Sequence, residues 1–266
     1  MVVGQRKIAF VLAATDQGTY LVNRFDYKQT GETAYGVGYE LLETAAREPE
    51  EVNTAMTLLS LRRDYFGDGV VGIDCGANIG LHAISWARKM TGWGQVIAIE
   101  AQERIYYALC GNITLNNVFN AQARHAAVSR EVGGMRIPVP NYLAPASFGS
   151  LELQRTTNEH VGQDIDYSQE AGSDVAMISL DSMKLPRVDL IKIDVEGMEL
   201  DVLAGATEIL THLKPCLLIE RLKTNERTLF ALLASYGYQL LPMGINVIAV
   251  HESDPTRQHV QFAERG

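Results

Sequence analysis

The stretch Val71-Gly72-Ile73-Asp74-Cys75-Gly76-Ala77-Asn78-Ile79-Gly80 constrains this chain more than any other. An apolar strand runs into a carboxylate, then into a turn of small residues, then into the start of a helix. Such a turn lets a ligand approach bare backbone, because Gly76 and Gly80 carry no side chain. The amides at the helix start are expected to point into that space with partial positive charge. The loop therefore predicts a small polar ligand at the carboxyl end of a strand, held by Gly76, Ala77, Asn78 and Gly80. Asp74 narrows the choice, since a carboxylate there repels phosphate and favours an ammonium or sulfonium group.

Residues 81–90 read as a helix with Ile84 and Ala87 on its inner face, stopped by Gly92 and Gly94. Residues 95–100 follow as a β-branched run ending in Glu100, 26 residues after Asp74. Strand, helix and strand form a βαβ unit with parallel strands and a right-handed crossover. An acid at the end of the second strand is placed to accept hydrogen bonds from two ribose hydroxyls. Asp74 and Glu100 are thus expected to flank one nucleoside. Nicotinamide dinucleotides and S-adenosylmethionine both use that arrangement. The dinucleotide fingerprint is G-x-G-x-x-G, shaped for a pyrophosphate. Here the spacing is Gly76-Ala77-Asn78-Ile79-Gly80 with an acid before it, which favours the phosphate-free, cationic methyl donor.

A second cluster lies in residues 189–199. Strand alternation puts Lys192 and Asp194 on one side, opposite Ile191 and Ile193. Asp194 ends this strand and should face the same crevice as Asp74 and Glu100. Glu199 and Asp201 are explained by a helix start, its apolar positions Leu203, Ala206, Leu210 and Leu213. Asp194 and Glu196 precede that helix, in the strand–helix turn where substrate must meet cofactor, and a functional reading is preferred for both.

The segments Asp74 to Gly80, Glu100 and Ile191-Lys192-Ile193-Asp194-Val195-Glu196-Gly197-Met198-Glu199 resemble the FkbM-type S-adenosylmethionine-dependent methyltransferases. Ser179-Leu180-Asp181, Lys214-Pro215 and Leu217-Leu218-Ile219-Glu220 match in order and spacing, so the resemblance covers roughly residues 70–220. It implies a Rossmann-like class I methyltransferase fold and S-adenosylmethionine as cofactor. It implies that the adenine rests near His125 and Ala126, and that the reaction is O-methylation of a hydroxyl on a sugar or secondary metabolite. The motifs are specific for the family and weak for the substrate.

Methyl transfer is an in-line displacement in which a protein mostly supplies alignment. An alcohol acceptor must also lose a proton, and Asp194 or Glu196 is the expected catalytic base, its pKa lifted by partial burial. His82, on the helix after the loop, is a weaker candidate because packing accounts for it as well. A metal-assisted version through Asp181, Asp194 and Glu196 lacks the His or Asn that would complete a site, so no metal is expected. The tetrad Asp194-Val195-Glu196-Gly197 lacks the prolines and aromatic residue of the [D/N]-P-P-[Y/F] motif found where a flipped base is methylated, which argues against that substrate.

Composition fits this reading. The chain has 266 residues, 47% of them hydrophobic, enough for one large α/β core. Its net charge of −9, without a Lys/Arg-rich run, predicts neither a nucleic-acid nor a membrane partner. Cys75, Cys110 and Cys216 have no metal-binding spacing and read as reduced residues of a cytoplasmic protein. Arg6-Lys7 before the apolar residues 8–14 loosely imitates the start of a signal peptide, but a first strand explains the run better.

Residues 1–68 are expected to form an N-terminal cap, with a hairpin (8–12, 19–22) and helical material over 39–65. Leu41, Leu42, Ala45 and Ala46 would make one packed face, and Met56, Leu59 and Leu61 another. Tyr35, Tyr39 and Glu40 are candidates for the site's mouth. Residues 69–266 form the cofactor-binding domain. In it, 103–116 is a helix with Asn116-Asn117 as its C-terminal cap and Asn112 facing solvent. Residues 121–129 are the third strand.

Residues 131–176 are an insertion on the substrate side, with short strands at 135–139 and 148–153, loops at 141–146 and 156–173, and Tyr142, Ser147, Ser150 and Tyr167 as candidate contacts. Strand 216–220, helix 225–236 and an antiparallel pair (238–241, 246–250) complete a seven-stranded, mostly parallel sheet with helices on both faces and one antiparallel strand. The tail after 252 is expected to be partly disordered. Two other classes stay open: a non-catalytic S-adenosylmethionine-binding module and a nicotinamide-dependent oxidoreductase. The acceptor is expected to be a small hydroxylated molecule; the oligomeric state is not legible.

Overall fold

A computed structural model describes residues 7–155, 160–168 and 170–260. Arg6 of the opening run, residues 156–159 and 169 of the expected loop, and residues 261–266 of the tail lie outside the described residues. The opening run is a strand. β1 (Phe10–Thr15) turns over Asp16 and Gln17 into β2 (Gly18–Asn23), antiparallel from Phe10↔Asn23 to Thr15↔Gly18. A second hairpin, β3 (Lys28–Thr30) with β4 (Thr33–Tyr35), has no apolar alternation to announce it.

Two helices follow, α1 (Val37–Thr44) and α2 (Pro49–Phe66). Their break is set by Ala45 and Glu48, both left-handed at φ 57° and 48°, and by Pro49, whose ring suits a first helical turn. The buried stripe of α2 is Val52, Ala55, Leu58 and Leu59, shifted from the expected Met56-Leu59-Leu61 face. Leu42, expected to pack, is 44% exposed.

The central sheet is built from β5 (Val70–Cys75), β6 (Gly94–Glu100), β7 (Ala121–His125), β11 (Leu190–Ile193), β12 (Cys216–Glu220), β13 (Tyr238–Met243) and β14 (Asn246–His251). Its order is β13-β14-β12-β11-β5-β6-β7, and β14 alone runs against the others. This is the seven-stranded, mostly parallel arrangement the sequence predicts.

Every residue of β5 is buried, as expected for a strand covered on both faces. On one face Val70, Val96 and Leu190 pack with Leu59 of α2, Trp86 of α3 (Leu81–Lys89) and Leu109 of α4 (Glu103–Leu115). On the other, Ile73, Ile97 and Ile191 pack with Val202 of α5 (Glu199–Ala204) and Leu233 of α6 (Glu226–Ser235). The order reverses between β5 and β11, and the carboxyl ends of those strands are where a ligand crevice opens. No helix among the described residues is long and apolar enough to cross a membrane.

The structure departs from expectation at several identifiable places. The third strand stops at His125. Beyond it β8 (Ala127–Val128) joins a separate sheet with β10 (Ser173–Ile178) and β9 (Gly133–Ile137). The strand expected at 148–153 is a 3-10 turn over Phe148–Ser150, because the Phe148 amide is claimed by the buried Asp26 carboxylate at 2.9 Å. The helix expected to run on from Glu199 ends at Ala204. Gly205 there lies so close to Ser129 that a Cβ would stand 2.2 Å from its carbonyl oxygen.

Asp181 then accepts from the Glu208 and Ile209 amides, at 2.9 and 3.0 Å, and starts a separate wide helical turn over Ile209–Leu213. The tail is packed as far as residue 260. Asp254 pairs with buried Arg62 of α2, and Arg62 also donates to Asp189 at 3.1 Å.

Polar anchors hold the outer segments to the sheet domain. Asp26, 2% exposed, accepts from Gly38 of α1 as well as from Phe148 of the insertion, at 3.2 and 2.9 Å. Asn112 corrects the solvent-facing expectation. It is fully buried, accepts from the Leu21 amide at 2.6 Å and donates to the Ile79 carbonyl at 2.9 Å. It therefore ties β2 to the glycine loop. Asn112→Ala should lower the unfolding free energy by about 1–3 kcal/mol, the usual cost of orphaned buried polar groups. Urea denaturation tests this, and an unchanged midpoint would mean that water replaces the side chain.

Candidate active site

The glycine loop is sharply bent. Gly76 and Gly80 take φ values of 80° and 95°, and Asn78, unusually for a non-glycine, takes 49°. A Cβ on Gly76 would stand 1.8 Å from the Asp194 carbonyl oxygen, so the turns after β5 and β11 meet backbone to backbone. Gly80 serves packing instead, since a Cβ there would reach 2.6 Å from Leu109.

The amides of the loop itself, Gly76 to Gly80, are engaged within the protein, whereas the start of α3 at Leu81 has no side-chain cap. Gly76 and Ala77 both donate to the Ile99 carbonyl, at 3.0 and 2.9 Å. Asn78 donates to Glu100 Oε2 at 2.9 Å, Ile79 to Asn78 Oδ1 at 2.8 Å and Gly80 to the Ala77 carbonyl at 2.9 Å.

The cavity beside this loop has a volume of about 390 Å³. Asp74, Gly76, Ala77, Asn78, Glu100 and Ala126 line its floor, and Asp194 and Glu196 join them from the neighbouring turn. Two residues expected at the site are not among the lining: Gly80, and His125. The His125 ring stacks on Tyr106 with centroids 5.0 Å apart, and its Nε2 meets the Ala101 carbonyl at 2.9 Å.

Tyr35, Glu40, Ser147 and Ser150 reach the cavity, whereas Tyr39, Tyr142 and Tyr167 do not. The Tyr142 hydroxyl donates to Gln102 Oε1 at 3.0 Å and that of Tyr167 to the Glu152 carbonyl at 2.7 Å. Asp181 is committed to its helical turn, away from Asp194 and Glu196.

The electrostatics centre on Lys192, which sequence reasoning placed beside Asp194 without a role. Lys192 is 4% exposed, and its ammonium binds Asp194 Oδ2 at 2.9 Å. The charges of Asp194, Asp74 and Glu51 overcome its burial and raise its pKa. Burial opposes ionisation of Asp194, but Lys192 wins and holds this carboxyl below the usual range. Asp74 is 1% exposed, neither of its oxygens makes a hydrogen bond of full geometry among the described residues, and burial raises its pKa although Lys192, His82 and the nearby Ala83 amide oppose.

Glu100 accepts from Asn78 and Gln102, yet burial pushes it up to about 7. Burial and Asp194 push Glu196 up to about 7, although its partner Lys223 opposes. Glu220, at the end of β12, is pushed to about 9 by burial and by Asp194 and Glu196. Glu220 was legible as a strand-end acid; Lys223, Arg47 and Glu48 come from remote loops and carry no local signal.

Chemically, the cavity offers several carboxyl oxygens, those of Asp74 and Glu100 among them, to a cationic or polyhydroxyl ligand. The family model described as "Methyltransferase FkbM domain" matches residues 74–240. Methyltransferase 1 of Beauveria bassiana (strain ARSEF 2860) is 28% identical over 151 residues, covering 53% of this chain and 59% of its own length. Methyltransferase sdnD of Sordaria araneosa is 30% identical over 156 residues, covering 51% and 60%. The chain thus spans about three fifths of the length of these curated relatives. Among solved structures, the FkbM methyltransferase from Methylobacillus flagellatus KT matches with a TM-score of 0.47 and 19% identity, over 77% of this chain and 50% of that one.

A carboxyl whose pKa is raised by folding stabilises the fold fully below its unfolded value, and that contribution is lost as pH climbs through the folded value. For Glu100 and Glu196 the loss runs from 4.5 to about 7, and for Glu220 from 4.5 to about 9. Asp194 acts oppositely, only below its ordinary 3.8. The melting temperature of the ligand-free protein should therefore fall between about pH 5 and 9, and Glu220→Gln should flatten the upper part of that fall. A melting temperature that climbs steadily across the window would contradict the assigned burial of charge.

Proposed function

This chain belongs to the FkbM methyltransferase family, and we propose that it transfers a methyl group from S-adenosylmethionine to a hydroxyl of a small molecule, a sugar or a secondary metabolite. The observation that carries the reading is Asp74, a buried carboxyl in the cavity lining whose oxygens make no hydrogen bond of full geometry among the described residues. A buried acid without a full hydrogen bond is costly, and the amino group or sulfonium of the donor is a group that relieves the cost. Glu100 complements it: each oxygen accepts one amide, which leaves lone pairs for the two hydroxyls of a ribose. Asp74 beside the glycine turn favours this donor over a nicotinamide dinucleotide, whose pyrophosphate it would repel.

Bound here, the donor would supply an electrophilic methyl on a sulfonium. Asp74, Glu100 and the backbone of Ala77 and Asn78 would hold and orient it. The acceptor hydroxyl enters from the side of Asp194 and Glu196. Lys192 keeps Asp194 ionised and weakly basic, which suits it to orient the hydroxyl. Glu196, near 7, is matched to proton removal at neutral pH. The acidic lining and the net charge of −9 disfavour a polyphosphate acceptor.

Calorimetric titration of S-adenosylmethionine and of its demethylated product tests the donor assignment: saturable binding to the wild type should be lost in Asp74→Asn. Glu196→Gln should retain donor binding while lowering kcat about 10²–10⁴-fold, and the acidic limb of the wild-type pH–rate profile should lie near 7. No donor binding by the wild type would refute the reading. Donor binding without transfer to any hydroxylated acceptor would favour a binding module.

A further inference from the structure

Between the cap and the glycine loop lies a second cluster that the methyl-transfer reading does not use. His82 is the second residue of α3, Glu48 is the left-handed residue just before α2, and Glu51 lies in the first turn of that helix. One ligand atom from each residue lies within 4.8 Å of the other two. His82 is 6% exposed, and its Nε2 has no hydrogen-bond partner of proper geometry among the described residues, although it stands 3.3 Å from Glu51 Oε1. A buried imidazole nitrogen 3.3 Å from one carboxylate without proper hydrogen-bond geometry, and with a second carboxylate in the same cluster, is an incomplete arrangement. We propose that His82, Glu48 and Glu51 bind a first-row divalent metal ion such as zinc or manganese.

The 3.3 Å between His82 and Glu51 suits neighbouring ligands on one ion, and the 4.8 Å span of the trio closes with a rotation of a carboxylate side chain. With ligand atoms about 2.0–2.2 Å from a metal, neighbouring ligands lie about 3–3.5 Å apart and opposite ones about 4.2 Å. The ligands are also held from behind, as metal ligands commonly are. Asn246 Nδ2 donates to Glu51 Oε2 at 2.6 Å, Arg47 pairs with Glu48 Oε1 at 2.7 Å, and the His82 ring meets Trp86 edge-on at 5.8 Å. Imidazole with two carboxylates selects first-row metals over magnesium or calcium, which prefer oxygen alone. The nearby Lys192 ammonium is already engaged by Asp194. Three protein ligands leave coordination positions open, and His82 and Glu48 line the cavity, so those positions face whatever binds there.

The test needs no donor and no turnover, so it stands apart from the methyl-transfer reading. Full-length protein stripped by chelator and dialysed is titrated with Mn2+ followed by electron paramagnetic resonance, and with Zn2+ followed by elemental analysis. One ion per chain is expected, with a raised melting temperature. His82→Gln and Glu51→Gln should each weaken binding at least about tenfold, while Asp194→Asn leaves it unchanged. If His82→Gln fails to fold, the less buried Glu48→Gln takes its place. Absence of stoichiometric binding by the wild type overturns the proposal and leaves a plain His82–Glu51 contact. Binding indifferent to the substitutions in this cluster also overturns it; if that ion is lost in Asp194→Asn, it belongs to the carboxylates of Asp194, Glu196 and Glu220.

Discussion

The buried ammonium of Lys192 is the interaction on which the site depends. Lys192 lies opposite Asp74 in the β5–β11 pairing and two residues before Asp194. Both carboxylates therefore face one cation at the point where the strand order reverses. Without it, two acids brought together in a low-dielectric crevice would repel each other and hold protons. With it, Asp194 is ionised while Asp74 still makes no hydrogen bond of full geometry among the described residues. The sheet thus delivers one ion-paired acid and one without a full hydrogen bond to the same cavity.

Backbone contact fixes the distance between them. Gly76 and Asp194 touch main chain to main chain, and the Asp194 amide donates to the Cys75 carbonyl at 3.1 Å. A side chain at position 76 would push the two turns apart. The same tight turn turns the amides of Gly76 to Gly80 inward onto Ile99, Glu100 and its own residues, unlike the outward-facing amides of a phosphate-binding glycine loop.

The central βαβ unit and the strand-end acids were legible because their signals are local. An apolar run, a glycine turn and a terminal carboxylate specify where Asp74, Glu100 and Asp194 stand whatever lies outside them. What was not legible depends on partners remote in sequence. Lys223 reaches Glu196 from beyond β12, and Arg47 and Glu48 arrive from the break between α1 and α2. Phe148 turns instead of extending because Asp26 claims its amide across 122 residues. Asn112 looked like a solvent-facing helix residue, since nothing near it in sequence shows that β2 and Ile79 close over it. The helix after Glu199 breaks at Gly205 because Ser129 needs that space.

Asp194 and Glu196 are two residues apart on one turn, yet their surroundings push them in opposite directions. Lys192 pulls one below the usual range, while burial and the charge of the first lift the other to about 7. Environments that separate two like groups assign them different tasks. Glu220 sharpens the separation: protonated up to about 9, it faces Asp194 as a hydrogen-bond donor and adds no third negative charge at neutral pH. Glu196, left-handed at φ 56°, is held in a costly backbone conformation by the turn that aims it into the cavity. Under the proposed reaction, the ionised partner aligns the hydroxyl and the lifted one takes its proton, a division that the sequence motif of two acids alone does not contain.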